Sequence, residues 1–269
     1  MDIEQSAPLS ESGIPVERLL QKVPSAFAER PYAHVSPNYV FISTAQLITA
    51  LTNAGFRAVQ AREARSRGER AGFGKHMLRF RHENHHSLTI VDAVPELVVV
   101  NAHDRTSSYQ LRAGIFRPLC ENGMLARIAD WGLIHVPHRG NVIANVVEAA
   151  MSILDGFSCV GPVLEQMART ILTEEQKIHF AHNAALLRYP QGTHIPYPPH
   201  HLLNTRRAID QGDDVWHVYN VVQENIMRGR IQGRTITGRV TQTRPIGAIR
   251  ADMKINNDLW QLAMGLIRG

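Results

Sequence analysis

The period of the apolar residues changes at Gly55, and this change constrains the fold more than any other feature of the sequence. Before Gly55 the apolar residues recur at helical spacing behind a capping-box sequence at Ser43, which predicts a helix over residues 44–54. After it, the stretches Phe56–Glu63 and His76–His82 alternate with a period of 2, which predicts two strands joined by a mobile basic tip. The folded part of the chain is therefore expected to pass from a helix into an antiparallel sheet.

Further elements follow along the chain. Strands are predicted at residues 97–103, 109–116, 125–128 and 133–136. Helices are predicted at residues 142–154, from 162 onward, at 174–188, at 214–228 and at 257–267. A helix, then antiparallel strands, then helices is the order of an α+β protein. We therefore predict an α+β fold in which an antiparallel sheet with a long basic hairpin packs on helices, followed by a helical C-terminal half.

Composition divides the chain into three parts. Residues 1–30 are predicted to form a flexible N-terminal tail, residues 31–160 an α+β core and residues 161–269 a helical C-terminal part. The C-terminal part contains an Arg/Gly segment at residues 228–250, which we interpret as a loop or a loose hairpin. Its four glycines and its lack of acids predict that it is poorly ordered until it meets a polyanion.

The charge of the chain is unevenly distributed. The formal net charge is +5. Residues 56–81 contain eight cations and two acids, and residues 228–251 contain six arginines and no acid, so each window carries +6. The rest of the chain therefore carries −7. Two basic segments on an otherwise acidic protein indicate that its partner is a polyanion.

Both basic windows supply candidate binding residues. A β-hairpin with outward arginines suits contact with a phosphate backbone, and Phe73 among its glycines could stack on a base. The alternative for this window is a solvated edge hairpin whose charges prevent aggregation. The alternative for the second window is a disordered surface loop. The candidate DNA-binding residues are Arg62, Arg65, Arg67, Arg70, Phe73, Lys75, Arg79, Arg81, Arg228, Arg230, Arg234 and Arg239.

The sequence offers no enzymatic motif. His82, His85 and His86 cluster in a turn, and His179 and His182 share a helical face, but the helical pair has no identifiable third ligand. We therefore favour structural or surface roles for these histidines. Phosphate-binding loops, dinucleotide fingerprints and nucleophile elbows are absent, and the acids do not converge. We predict no catalytic residue, no metal and no cofactor.

The sequence also predicts where the protein resides. Two cysteines are too few for a disulfide framework. The N-terminal segment lacks the regions of a secretory signal, and the longest apolar runs are too short to span a bilayer. We predict a cytoplasmic protein without membrane contact.

Several segments resemble one family of proteins. They are residues 39–44, 72–76, 95–104, 114–123, 138–148 and 216–229, the last around the sequence VVQEN. On these segments the chain resembles the phage- and plasmid-borne proteins of the YafZ, YfjQ and YubP type, over residues 39–269. The resemblance implies a mobile-element setting, in prophages and in plasmid regions that enter a cell as single strands, and it carries over no catalytic residue.

The predicted topology resembles a second group at the level of the fold. A helix, antiparallel strands with a long hairpin and a long apolar helix are similar to the core of single-strand annealing recombinases of the Redβ and Erf type. That resemblance implies rings or filaments, and the helix at residues 142–154 is apolar on more than one stripe. We therefore predict a homo-oligomer.

These observations lead to one main hypothesis and two alternatives. The main hypothesis is a non-catalytic protein that binds, and anneals, single-stranded DNA during plasmid or phage DNA processing and recombination. The first alternative is an interaction protein that inhibits a host defence or repair enzyme. The second is a metal-dependent nuclease.

Overall fold

The computed structural model describes residues 13–33, 41–66, 68–84, 93–104, 106–107, 109–116, 123–124, 133–134, 142–157 and 160–268. These residues form two compact units, which are described separately. The first unit contains the described residues of 13–84, 94–114 and 133–156. The second contains residue 93, residues 115–116 and 123–124, and the described residues from 157 to 268.

The first unit is built around an antiparallel sheet. Its helices are α1 (Val16–Lys22), α2 (Thr44–Asn53) and α3 (Val142–Gly156), with a 3₁₀ turn at Pro24–Phe27. The strands of the sheet are β1 (Phe56–Glu63), β2 (His76–His82), β3 (Val94–Asn101), β4 (Gln110–Phe116), β5 (Gly123–Met124) and β6 (Leu133–Ile134). Residues 115–116 of β4 and strand β5 are assigned to the second unit. Strands β1 to β4 lie side by side in chain order, and the two-residue strands β5 and β6 both pair with β4. The predicted α+β class and antiparallel sheet are confirmed.

The change of period at Gly55 has the expected structural result. The Ser43 hydroxyl accepts a hydrogen bond from the Gln46 amide and starts α2, which ends at Asn53. Gly55 has a φ of +89°, which favours glycine, and β1 follows at once. Strands β1 and β2 have the predicted bounds, whereas β3 begins three residues before the predicted strand. Local signals therefore locate the helix and the first two strands.

One face of the sheet forms the core with α2. Leu78, Phe80 and Leu97 are fully buried on the strands, and Leu47 and Leu51 are fully buried on the helix. Helix α3 contacts α2 and β3. Burial of these apolar side chains stabilises the unit in proportion to the area removed from water.

The N-terminal tail predicted for residues 1–30 is folded from Gly13 onward. The Ile14 amide donates to the Ala58 carbonyl at 2.6 Å. The Ser25 amide and hydroxyl both donate to the Glu63 carboxylate, at 3.0 and 2.6 Å. Residues 1–12 lie outside the described residues, so the prediction of flexibility stays a prediction for them.

The second unit is helical. Its helices are α4 (Val160–Arg169), α5 (Glu174–Arg188), α6 (Val215–Arg228) and α7 (Ile249–Arg268), with 3₁₀ turns at Pro199–Leu203 and Ala208–Asp210. Helix α6 contacts α4, α5 and α7 and is buried from Val215 to Met227, apart from half-exposed His217. On α6 the rings of Trp216 and Tyr219 are stacked, and Trp260 of α7 packs edge-on against Tyr219, so both tryptophans belong to the core.

The starts of two helices in this unit differ from the predictions. Helix α4 begins at Val160, before Pro162, which the first turn of a helix tolerates. Helix α7 begins at Ile249, eight residues before the predicted start, because Ile249 and Met253 extend its apolar face. The segment between α6 and α7, interpreted as a loop or a loose hairpin, is a hairpin of two strands, β7 (Gln232–Arg234) and β8 (Val240–Gln242), so the hairpin interpretation is confirmed. The strand predicted at residues 125–128 lies outside the described residues.

One helical stretch also meets the requirements for a membrane span by length and composition. The stretch Val142–Arg169 is 28 residues long, with a mean hydropathy of 1.4 in its most apolar window. The prediction of a protein without membrane contact stays a prediction. Within that window 31% is buried, and α3 buries Val146, Ala150, Ile153 and Leu154.

Candidate nucleic-acid interface

The arginine hairpin, defined as residues 228–244, carries most of the second basic window. Gln232 pairs with Gln242 and Arg234 with Val240 across the two strands. Its turn is closed by the Thr235 amide, which donates to the Arg239 carbonyl at 2.8 Å, and by the Gly238 amide, which donates to the Thr235 carbonyl at 2.8 Å. Gly238 has a φ of +81°, as such a turn requires.

The root of the hairpin has an unusual backbone. Gly229 and Arg230 both have a φ of +61°, and a Cβ on Gly229 would lie 2.6 Å from the Arg244 carbonyl oxygen. This conformation lets the Arg230 amide donate to the Thr243 carbonyl at 2.7 Å. Buried Ile231 and Thr243 then exchange two further hydrogen bonds. The chain therefore reverses directly out of helix α6 into the hairpin.

Side chains of the helical unit hold this root in place. Arg188 donates to the Ile226 carbonyl at 2.8 Å and also to the Arg244 carbonyl. Arg206 donates to Asn225 on α6 at 2.9 Å and to the Gly229 carbonyl at 3.0 Å. The root is thus bonded to two arginines that lie outside the hairpin.

Strand β7 lies against the segment of residues 194–197. The Arg234 amide donates to the Pro196 carbonyl at 2.6 Å, and His194 Nε2 donates to the Arg234 carbonyl at 2.7 Å. A Cβ on Gly233 would lie 1.9 Å from the Pro196 oxygen, so this close approach requires glycine.

Every arginine of this segment is exposed. They are Arg228, Arg230, Arg234, Arg239, Arg244 and, at the start of α7, Arg250. Arg228 pairs with Glu224 at 3.2 Å. Among the described residues, no carboxylate oxygen lies within 4.0 Å of Arg230, Arg239 or Arg244. The hairpin therefore presents guanidinium groups that are available to an anionic partner.

The sequence did not point to the residues that support the hairpin. Glu224 and Asn225 are buried on α6, where Glu224 pairs with Arg207 at 2.6 Å and Asn225 binds the Leu202 and Asn204 carbonyls at 2.9 Å. The signal was present in the VVQEN sequence, because polar residues in an otherwise apolar helix must find buried partners.

The cationic tip of the first window, defined as residues 64–75, is folded and does not form an open loop. A 3₁₀ turn runs over Gly68–Arg70, and the Gly74 amide donates to the Ser25 hydroxyl at 2.9 Å. Arg65 and Arg70 are exposed, whereas Arg62 and Lys75 are half-buried. Arg67 lies outside the described residues.

Phe73 of the cationic tip has an aromatic neighbour that the sequence did not reveal. Its ring centroid lies 5.8 Å from that of Tyr32, and the Arg70 guanidinium lies 6.0 Å from the Tyr32 centroid. The Tyr32 hydroxyl donates to Glu69 at 3.1 Å. These rings and Arg30 line a cavity of about 390 Å³. Their sequence separation explains why only Phe73 was singled out.

The prediction that Arg79 and Arg81 point outward is wrong. Arg79 Nε lies 2.6 Å and Arg81 Nη2 lies 2.8 Å from the Glu96 carboxylate, and the Arg79 side chain is only 5% exposed. The cause is the third strand, because the β2–β3 register brings Glu96 beside both arginines. Arg79 also donates to Gln60 at 2.8 Å. Arg79 therefore belongs to a buried ion cluster.

A second buried polar group lies on the opposite face of β2. His76 Nε2 lies 2.9 Å from the Thr44 hydroxyl, and His103 Nε2 lies 3.4 Å from the same oxygen. Burial lowers the pKa of each histidine to about 4, and for His76 the neighbouring His103 adds to this effect. Both rings are therefore neutral near pH 7 and belong to the core.

The histidines singled out in the sequence are dispersed. His82 is buried and its Nε2 lies 3.1 Å from the Ala54 carbonyl, whereas His179 and His182 are exposed on α5. His85 and His86 lie outside the described residues. Within the described part of the chain, no three His, Cys, Asp or Glu side chains are grouped to hold a metal ion.

The comparisons with known proteins identify the family. Residues 31–260 match the model of a domain of unknown function, DUF932. The chain belongs to the DUF932 family. It is 34% identical over 252 residues to two proteins of Escherichia coli K12, the UPF0380 proteins YfjQ and YafZ, covering 93% of this chain and 90% of each relative. The resemblance to the YafZ and YfjQ type is thus confirmed.

The fold-level comparison gave a different result. No solved structure matches the chain. The resemblance of the predicted topology to Redβ and Erf recombinases is therefore unsupported, although the α+β class itself holds.

Proposed function

We propose that this DUF932 protein is a non-catalytic DNA-binding protein that prefers single strands, and that the arginine hairpin is its principal contact. The observation that carries the proposal is the exposure of Arg230, Arg239 and Arg244 without a carboxylate partner among the described residues. Guanidinium groups bind phosphates in a fork geometry and remain charged at all physiological pH values. A polyanion is therefore the partner with matching charge.

The proposed preference for single strands rests on the cationic tip. Tyr32 and Phe73 present two half-exposed rings beside exposed Arg70. Stacking of an unpaired base on such a ring contributes about 1–3 kcal/mol and tolerates any sequence. Bases in a duplex are stacked on each other and are not available for this contact.

We extend the proposal to annealing of complementary strands during plasmid or prophage DNA recombination, by a homo-oligomer in the cytoplasm. A protein that binds phosphates leaves bases free to pair, and self-association would join many weak sites. Light scattering with and without a long oligonucleotide tests this part. A strict monomer in both samples would remove annealing and leave simple DNA binding in place.

The test of the main proposal is a fluorescence polarisation titration at several salt concentrations with labelled single-stranded and duplex oligonucleotides. The triple variant Arg230→Gln, Arg239→Gln, Arg244→Gln is compared with the wild type. If each arginine neutralises one phosphate, the slope of log K against log salt falls by about 0.7 per arginine on single strands, about 2 in total.

A matched control removes the same charge elsewhere. The variant Arg18→Gln, Arg169→Gln, Arg268→Gln loses three exposed arginines outside the hairpin. Its slope should stay close to that of the wild type. Equal slopes in both triple variants would exclude the hairpin as the interface. Absence of DNA binding by the wild type would favour the inhibitor alternative, and magnesium-dependent cleavage of the oligonucleotide would favour the nuclease.

A further inference from the structure

The tip of the arginine hairpin exposes two large apolar side chains. Ile236 is 83% exposed and Val240 is 65% exposed. Val240 lies across the ladder from Arg234, and Ile236 lies in the turn that joins the strands. Covering these two side chains would stabilise a complex in proportion to the apolar area removed from water.

The turn fixes this apolar tip in one conformation. The Thr235 hydroxyl lies 2.9 Å from the Thr237 hydroxyl and accepts from the Arg239 amide at 3.2 Å. Arg234 Nη1 donates to the Gly238 carbonyl at 3.0 Å. The turn is therefore bonded on both sides of Ile236. Ordering the tip before binding lowers the entropic cost of inserting it into a partner.

The charges around the tip select the partner. Arg230, Arg234 and Arg239 are exposed on the same hairpin, and the segment contains no acid. A purely apolar partner surface would leave these charges unpaired, whereas DNA offers phosphates beside apolar base faces. Ile236 and Val240 have no side-chain hydrogen-bonding group, so they cannot read the polar edges of bases in the major groove.

We propose that the tip of the arginine hairpin enters the minor groove of duplex DNA and that Ile236 acts as a wedge between two base pairs. The proposal rests on the DNA binding proposed above and adds a duplex contact to it. Apolar wedges of this kind partly unstack a base step and bend the duplex toward the major groove, while neighbouring arginines bind the phosphate backbone. Such an arm would hold a duplex that has just formed from two annealed strands.

The test measures bending and unstacking of a short duplex. One duplex carries a donor and an acceptor dye at its ends, and another carries 2-aminopurine at a central base step. Wild-type protein should raise energy transfer and 2-aminopurine fluorescence. Ile236→Thr keeps the β-branched shape and the charge, so it should leave the salt slope unchanged, abolish both optical signals and weaken duplex affinity about tenfold. Val240→Thr should have a smaller effect in the same direction.

Ile171→Thr is the matched control, because Ile171 is 68% exposed in the same unit but outside the hairpin. It should behave like the wild type. Wild-type signals that persist in Ile236→Thr, or a wild-type complex that neither bends nor unstacks the duplex, would overturn the wedge while single-strand binding still stands. Absence of binding to single-stranded and duplex DNA alike would overturn the wedge together with the proposed function.

Discussion

The two basic windows have the same net charge in the sequence but different structures. Both carry +6. In the first window, Arg79 and Arg81 pair with Glu96, and Arg57 pairs with Glu83 at 2.9 Å. In the second window, every arginine is exposed, and Glu224 is the one acid within ion-pair distance of them among the described residues. The charge of a sequence window is therefore a poor measure of surface charge.

Sheet topology explains the difference. Strand β2 is central, so residues on it meet side chains from β1 and from β3, and an acid distant in sequence can neutralise them. The arginine hairpin is a sheet of two strands, and neither strand has a further neighbour in it. A basic two-stranded hairpin thus keeps its charges in solvent, whereas a basic strand inside a larger sheet does not.

The largest expected effect concerns the buried ion cluster of the first window. Glu96→Gln removes the carboxylate that lies 2.6 Å from Arg79 and 2.8 Å from Arg81, so a buried guanidinium loses this ion pair. We expect a loss of about 3–5 kcal/mol in the free energy of unfolding, measured by urea denaturation. Glu83→Gln is the control and should cost less than about 1 kcal/mol, because its pair with Arg57 is largely exposed. Equal losses of unfolding free energy in the two variants would mean that Glu96 does not stabilise the cluster.

The next effect concerns pH. The pKa values of His76 and His103 are lowered to about 4, so the unfolded chain binds more protons than the folded chain between about pH 6.5 and pH 4. Stability should therefore fall as the pH falls through this window, by about 2 kcal/mol per histidine from pH 7 to pH 5. The arginines stay charged throughout this pH range. The DNA affinity of the protein that remains folded should therefore not change with pH.

Urea denaturation at pH 7 and pH 5 measures this effect. The double variant His179→Gln, His182→Gln is the control, because both side chains are exposed on α5. It should show the same pH dependence as the wild type. Equal stability at pH 7 and pH 5 would contradict the neutral buried state of the histidine pair.

A third prediction tests how the exposed hairpin is held. Gly233→Ala places a Cβ 1.9 Å from the Pro196 oxygen, so β7 must move and the Arg234–Pro196 hydrogen bond should break. We expect a loss of about 2 kcal/mol in unfolding free energy, together with a weaker salt dependence of DNA binding. Gly265→Ala, whose Cβ would meet open space on α7, should be neutral or slightly stabilising. A Gly233→Ala protein of normal stability would mean that the approach to Pro196 is not required.

The same contrast explains what the sequence could predict. Helix α2, strands β1 and β2 and helix α5 were predicted because their signals lie within a few neighbouring residues. The exposed arginines of the second window were identified for the same reason. Burial of Arg79 by Glu96 depends on the pairing of β2 with β3, and the Tyr32–Phe73 pair joins residues 41 positions apart. No local pattern encodes either contact.

The smallest expected effect compares the two surfaces directly. Arg65→Gln with Arg70→Gln removes two exposed arginines from the cationic tip, and Arg230→Gln with Arg239→Gln removes two from the arginine hairpin. Net charge changes equally, so any difference in DNA affinity or salt slope reports location alone.

Because Arg70 also lies over the Tyr32 ring, the tip variant should weaken single-strand binding more than duplex binding, by about threefold. The hairpin variant should weaken both ligands, and its salt slope should fall by about 1.4 on single strands. If the tip variant lowers the slope as much as the hairpin variant does, both basic windows contact the same DNA backbone, and the hairpin is not the principal contact.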